Sequence, residues 1–220
     1  MFLALSSAYR LVLDKIHDDQ LQKEKENENL KTELSFLRSQ ISPHFIFNVL
    51  NNTVSLARKK SDLVEPTLVQ LSNLLRYMLY ESEYDKVPFE KELEYVNSYL
   101  ELQKLRFGDD TDIVFDCDCD NSIQFIEPML IIPLIENAFK HGIASIERPE
   151  IVIALSEKEK GLNLLVTNKF NKHLSEIKDG TSGIGLKNLQ RRLALLYGTS
   201  SNLSIREAGD YFIVNLKIST

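Results

Sequence analysis

The chain has 220 residues, 43% hydrophobic and 26% charged, with a formal net charge of −6. This is an ordinary soluble balance with enough apolar material for a real core in one or two domains, and its acidity gives no electrostatic basis for direct nucleic-acid binding. Two cysteines, Cys117 and Cys119, suit neither a disulfide framework nor a four-ligand zinc site, and read as reduced thiols of a cytoplasmic compartment.

The opening stretch MFLALSSAYRLVL is apolar but interrupted by Ser6, Ser7 and Arg10. A spanning helix needs about 20 apolar residues, so this is either an ordinary helix end or the tail of a membrane helix cut off by the start of the chain. Residues 14–35 carry dense mixed charge, and Leu30, Leu34, Leu37 and Ile41 then recur at coiled-coil spacing. A solvated surface helix is the alternative. Helical periodicity continues over 44–59, with a kink or restart expected at Pro43. A second helix is predicted over 66–82, with Leu68, Leu71, Leu75, Met78 and Leu79 on one face and Pro66 in its first turn. A third runs over 89–106 and ends at Gly108. These segments read as a helical linker over 1–36 followed by an all-helical dimerising module over 37–108.

Beyond Gly108 the pattern changes. Ile113, Phe115 and Cys117 alternate with polar residues, which predicts a strand. The aspartates between and around them, Asp112, Asp116, Asp118 and Asp120, read as a solvated strand face and turn, since a calcium loop needs a Gly and a bidentate Glu. A helix is predicted over 128–141, with Pro128 near its first turn and Gly142 just past its end. Strands follow over 150–155 and 162–167, then a polar Gly-containing loop over 171–185. An amphipathic helix over 186–197 stops at Gly198, and strands over 202–206 and 211–218 close the chain. Residues 109–220 therefore read as an α/β sandwich, and the whole as α+β.

Three segments carry chemistry. In Ser42-Pro43-His44-Phe45-Ile46-Phe47-Asn48, a largely neutral imidazole is a competent nucleophile, although a lone helix histidine is more often structural and the spacing alone does not decide. Asn48 lies one helical turn further on the same face, where its amide can position a water. In Pro133-Leu134-Ile135-Glu136-Asn137-Ala138-Phe139-Lys140-His141-Gly142, the i, i+3, i+4 spacing puts Asn137, Lys140 and His141 on one face. An amide oxygen there suits Mg²⁺ and a lysine suits phosphate, although a plain polar face with Pro133 as a kink has the same pattern. In Asp179-Gly180-Thr181-Ser182-Gly183-Ile184-Gly185-Leu186, glycines before a helix allow close approach of an anion to free N–H groups. Such a turn is also common without any ligand.

Their order resembles the LytS/YehU-like sensor histidine kinases, within the two-component kinases that share the Bergerat ATP-binding fold. LRSQISPHFIFNVLNN is similar to the family's phosphoacceptor box, PLIENAFKHG to its N box, and SGIGLKNLQRRLALLYG to its second glycine box. VPFEKELEYVNSYLELQKLRF is similar to the family's connection between the two modules. The resemblance implies a hairpin that forms a four-helix bundle in a homodimer, followed by a Bergerat-type sandwich over 109–220. It implies ATP and Mg²⁺ as cofactors, His44 as the phosphoacceptor and Asn48 as an aid to dephosphorylation. Asn137 would bind Mg²⁺, with Lys140 and His141 at the phosphates. Gly183, Gly185 and Leu186 would wrap the phosphates beneath a lid formed by 171–182. The implied partner is a response regulator, of the LytTR type, and the parent protein would carry membrane helices upstream of a cytoplasmic kinase module.

Two positions depart from the wider kinase pattern. Asn168 stands where an Asp of an Asp-x-Gly-x-Gly box accepts from adenine, and the two glycines are missing. An Asn oxygen accepts a hydrogen bond but gives no charge-assisted one. Phe45 stands where many histidine kinases carry an acid, so the pattern does not identify the base for His44; Glu136 is named as a candidate without a motif behind it. The missing Asp motivates a rival reading, a degenerate module that dimerises without turning over ATP. A serine kinase of the anti-sigma type is a third, which the His44 helix argues against.

Overall fold

The computed structural model describes Lys15 and residues 43–81, 84–119, 123–143, 146–158, 161–171 and 184–219. The chain divides into two units, Met1–Ile41 and Ser42–Thr220, and every element below belongs to the second. The coiled-coil seam from Leu30 to Ile41 and, of the lid expected over 171–182, all but Asn171 lie outside the described residues.

Three helices come first: α1 (Pro43–Arg58), α2 (Val64–Leu79) and α3 (Phe89–Phe107). On α1, Phe45, Val49 and Thr53 recur every four residues and are buried, which sets the face turned to α2 and α3. A second apolar stripe, Phe47, Leu50 and Val54, stays 64%, 40% and 51% exposed. The same doubling occurs on α2. Leu71 and Met78 are buried, whereas Leu68 and Leu79, expected on their face, are exposed. Two adjacent stripes, one covered and one open, look like a single face in sequence because each repeats at helical spacing. Gly108 ends α3 with φ +59°, a left-handed stop that favours glycine, and its N–H reaches the Lys104 carbonyl.

The strands are β1 (Val87–Pro88), β2 (Asp112–Cys119), β3 (Phe125–Ile126), β4 (Glu150–Lys158), β5 (Gly161–Lys169), β6 (Ser201–Ala208) and β7 (Tyr211–Ser219). Five of them form a mixed sheet in the order β2-β4-β5-β7-β6, with β2 parallel to β4 and the other pairs antiparallel. Strict alternation on β4 and β5 buries every second side chain, including Ile151, Ile153, Leu155, Leu162, Leu164 and Val166. Register lines Cys117, Leu155, Leu164, Leu216 and Leu203 into one row across the sheet. Helices α4 (Ile132–Gly142) and α5 (Ile184–Tyr197) pack on the sheet and supply the buried Leu134, Ile135, Ala138, Leu189 and Leu193. The fold class is the one expected: α+β, with a helical hairpin followed by an α/β sandwich.

Some local features differ from the sequence expectation. Helix α4 starts at Ile132 rather than near Pro128, with Pro133 in its first turn and not at a kink. The backbone N–H groups of Met129, Leu130 and Ile131 bond to a side chain from α3 instead of entering the helix. A small sheet also joins β1 to β3 and crosses the boundary placed at 108. The free thiols of Cys117 and Cys119 lie 3.1 Å apart on edge strand β2, where burial pushes the Cys119 thiol up to about 12. Asp112, Asp116 and Asp118 are exposed, with Asp118 paired to Lys158 at 2.5 Å.

Candidate nucleotide and phosphoacceptor site

Helix α4 forms the centre of the site. Its inner face is fixed by Leu134, Ile135 and Ala138 in the core, which turns Asn137, Lys140 and His141 to a different side. Asn137 and His141 are half-buried and Lys140 is exposed, and the last two lie in the final turn, where positive charge suits the helix dipole. The end of α4 sits on Asn168, the buried residue near the end of β5. A Cβ at Gly142 would lie 2.8 Å from the Asn168 Cβ and 3.0 Å from its Nδ2, so only glycine permits this approach. Asn168 Nδ2 in turn donates to the Lys169 carbonyl at 2.8 Å. Two segments read separately from the sequence, the N box and the position of the missing Asp, are therefore in direct contact. Gly142→Ala is expected to lower stability by ~1–3 kcal/mol through overpacking. Urea unfolding measures it, and an unchanged midpoint would contradict the close approach.

The start of α5 supplies a different kind of donor. No acidic residue lies in its first turn, and among the described residues nothing stands within 4 Å of a Cβ placed at Gly185. N–H groups at a helix N-terminus attract an anion. Leu186 is half-buried behind them, and Gly183 lies outside the described residues. An amide oxygen at Asn137, an exposed amine at Lys140 and a helix N-terminus form a donor set that fits Mg²⁺ and a polyphosphate.

The His44 helix, α1, reaches α4 through aromatic rings. His44 lies in the first turn of α1, and its neighbour Phe45 is only 5% exposed. The Phe45 and Tyr99 rings are 4.6 Å apart, and Tyr99 meets Phe139 of α4 edge-on at 5.8 Å. Phe45, where an acid was expected, is therefore a packing anchor. Asn48 is half-buried one turn beyond His44. Glu136 is half-buried and close enough to Tyr99 and Tyr95 of α3 to act on both electrostatically. Burial pushes the Tyr99 phenol up, and the Glu136 carboxylate pushes it further. Tyr95 is raised by burial, by Glu92 and by Glu136 in turn.

The sequence reading missed two residues, Glu92 and Arg192, both buried. Glu92 shares the inward side of α3 with the buried Phe89, Tyr95, Val96 and Tyr99, and Arg192 lies between the buried Leu189 and Leu193 of α5. A charge in the buried phase of an amphipathic helix is the signal that marks them.

A family model described as histidine kinase matches residues 32–111. The chain is 32% identical over 185 residues to the sensor protein LytS of Staphylococcus saprophyticus, covering 79% of this chain and 31% of that protein. It is 31% identical over 187 residues to the sensor histidine kinase YpdA of Escherichia coli K12, covering 81% of this chain and 33% of that protein. It is also 31% identical over 203 residues to YwpD of Bacillus subtilis 168, covering 84% and 69%. The chain belongs to the LytS-like sensor histidine kinase family. It spans about a third of the length of LytS and YpdA.

Proposed function

We propose that this chain is the ATP-dependent kinase core of a two-component sensor, phosphorylating its own His44 and passing the phosphoryl group to an aspartate of a response regulator. The observation that carries the reading is the ring contact from Phe45 through Tyr99 to Phe139, which ties the His44 helix to the helix bearing Asn137 and Lys140. A His44 ring nitrogen forms the new N–P bond as the bond from the γ-phosphorus to the ADP oxygen breaks. The chain's task is positioning and charge neutralisation. Asn137 would hold Mg²⁺, which would neutralise phosphate charge, and Lys140 and His141 would meet the phosphates. Gly183, Gly185 and Leu186 contribute the backbone around the phosphates. Asn168 accepts from the adenine amino group, and Glu136 is the candidate base for His44. Asn48 positions the water that later removes the phosphate.

The partners are a second copy of this chain and a response regulator of the LytTR type. The exposed stripes Phe47-Leu50-Val54 and Leu68-Leu79 support the dimer, because two copies would cover them in a four-helix bundle. Residues 37–108 form the phosphotransfer module and 109–220 the ATP-binding module, with 1–36 as a linker toward membrane segments of the parent protein. Incubation with Mg·ATP followed by phosphosite mapping at neutral pH tests the reading. The expected product is a phosphate on His44 that is acid-labile and base-stable. An acid-stable phosphoserine, or no incorporation at all, contradicts it.

A further inference from the structure

Between β2 and α4 the chain passes through a strap, residues 124–131, which both modules grip. On the hairpin side, the Phe89 N–H donates to the Gln124 carbonyl at 3.1 Å, and Val87 and Pro88 pair with Ile126 and Phe125. One turn into α3, the fully buried Glu92 carboxylate accepts the N–H groups of Met129, Leu130 and Ile131 at 2.9, 3.1 and 3.3 Å. Tyr77 of α2 donates its hydroxyl to the same carboxylate. On the sandwich side, Arg192 of α5 donates to the carbonyls of Pro128 and, at 3.0 Å, Met129. The Tyr197 hydroxyl, further along α5, donates to Glu127, whose other oxygen lies 3.6 Å from Lys86 Nζ.

The strap leads straight into Ile132, the first residue of α4. Its backbone is held in a shape it would not choose alone: Met129 has φ +59°, which costs a non-glycine residue about 1 kcal/mol or more and persists only where the surroundings impose it. Three successive N–H groups on one carboxylate form an anion nest. Four donors converge on Glu92 and use all of its lone-pair capacity, so the geometry calls for the ionised form. Burial dominates and leaves its carboxyl raised, although Tyr77, the N–H groups of Met129 and Ile131, and Arg192 act in the opposite direction.

We propose that Glu92 and Arg192 are positioning residues that couple the His44 hairpin to the nucleotide site through the 124–131 strap. Both grip the segment that launches α4, one from the helix after the hairpin turn and one from the helix that follows the glycine box. A shift of α5 on nucleotide binding pulls the strap through Arg192, and the strap moves α3 and α2 through Glu92 and Tyr77. The inference rests on the kinase reading above, but concerns residues to which that reading gives no role at the nucleotide or at His44.

The test uses the full chain and Mg·AMP-PNP. Amide hydrogen exchange over α2 is followed with and without nucleotide in the wild type, Glu92→Gln and Arg192→Lys. Nucleotide is expected to slow α2 exchange in the wild type only, while both variants keep its affinity within about threefold, a change well under 1.4 kcal/mol. The kcat for His44 phosphorylation is expected to fall about 10- to 100-fold with KM for ATP nearly unchanged, the signature of misplacement rather than lost binding. General structural damage would instead raise KM and the dissociation constant together. An α2 response missing from the wild type, or equal in the variants, overturns the coupling alone. A wild-type chain that binds no nucleotide overturns the kinase reading and the coupling with it. Should Glu92→Gln fail to fold, Arg192→Lys and Tyr77→Phe, which removes one hydroxyl, carry the same comparison.

Discussion

His44→Gln leaves no ATP-derived phosphate on the chain, while affinity for Mg·nucleotide stays within about threefold of the wild type, well under 1.4 kcal/mol. Glutamine keeps polarity and similar bulk at the first turn of α1 but offers no nucleophilic ring nitrogen. Phe45, which is unchanged, keeps its ring contact with Tyr99. The groups proposed to hold the nucleotide belong to α4 and α5, whereas residue 44 belongs to α1. Scintillation counting of the chain after incubation with γ-labelled Mg·ATP, beside calorimetry with Mg·AMP-PNP, separates the two expectations. Label retained in the variant would move the acceptor to another residue. Loss of both label and nucleotide binding would mean that the substitution disturbs the fold rather than the acceptor.

What the sequence made legible follows from the range of the interactions. Strands β4 and β5 are readable because one face is buried and alternation is strict. The stop of α3 is readable because Gly108 takes a conformation that other residues avoid. The N-box face is readable because helical spacing alone groups Asn137, Lys140 and His141. Three things were not readable. The parallel pairing of β2 with β4 joins segments 38 residues apart in register, for example Ile113 with Ile151, and no local pattern encodes it. The start of α4 at Ile132 depends on Glu92, 40 positions earlier in the chain. The contact between Gly142 and Asn168 belongs to tertiary packing, so the missing Asp and the N box looked like independent features. In each case a long-range partner overrides or completes a local signal. For Glu92 and Arg192 the clue was local but easily passed over, since each charged residue stands where the helix repeat calls for an apolar one.

The same clue sets the largest expected loss of stability. Glu92→Ala removes the only described acceptor of the N–H groups of Met129 and Leu130 and of the Ile131 N–H, and takes the Tyr77 hydroxyl's partner as well. Each buried donor left without a partner costs about 1–3 kcal/mol, and water entering the cavity recovers part of that. Arg192 loses a buried counter-charge at the same time. The expected total is ~3–5 kcal/mol, as for other buried charged groups deprived of a partner, and it is measured by urea unfolding at low temperature. Glu92→Gln should cost less, because the amide oxygen still accepts while its NH₂ group faces donors rather than acceptors. Arg192→Ala should also cost less, since orphaned carbonyls at Pro128 and Met129 are better tolerated than orphaned N–H groups. Against a typical domain stability of about 5–15 kcal/mol, the Glu92→Ala loss leaves a marginal fold. A Glu92→Ala loss below about 1 kcal/mol, the size of an ordinary exposed contact, would mean that the strap keeps its shape without the carboxylate. The ranking of the three variants matters as much as the size, because burial of the carboxylate alone, without its grip on the strap, predicts that removing it stabilises the chain.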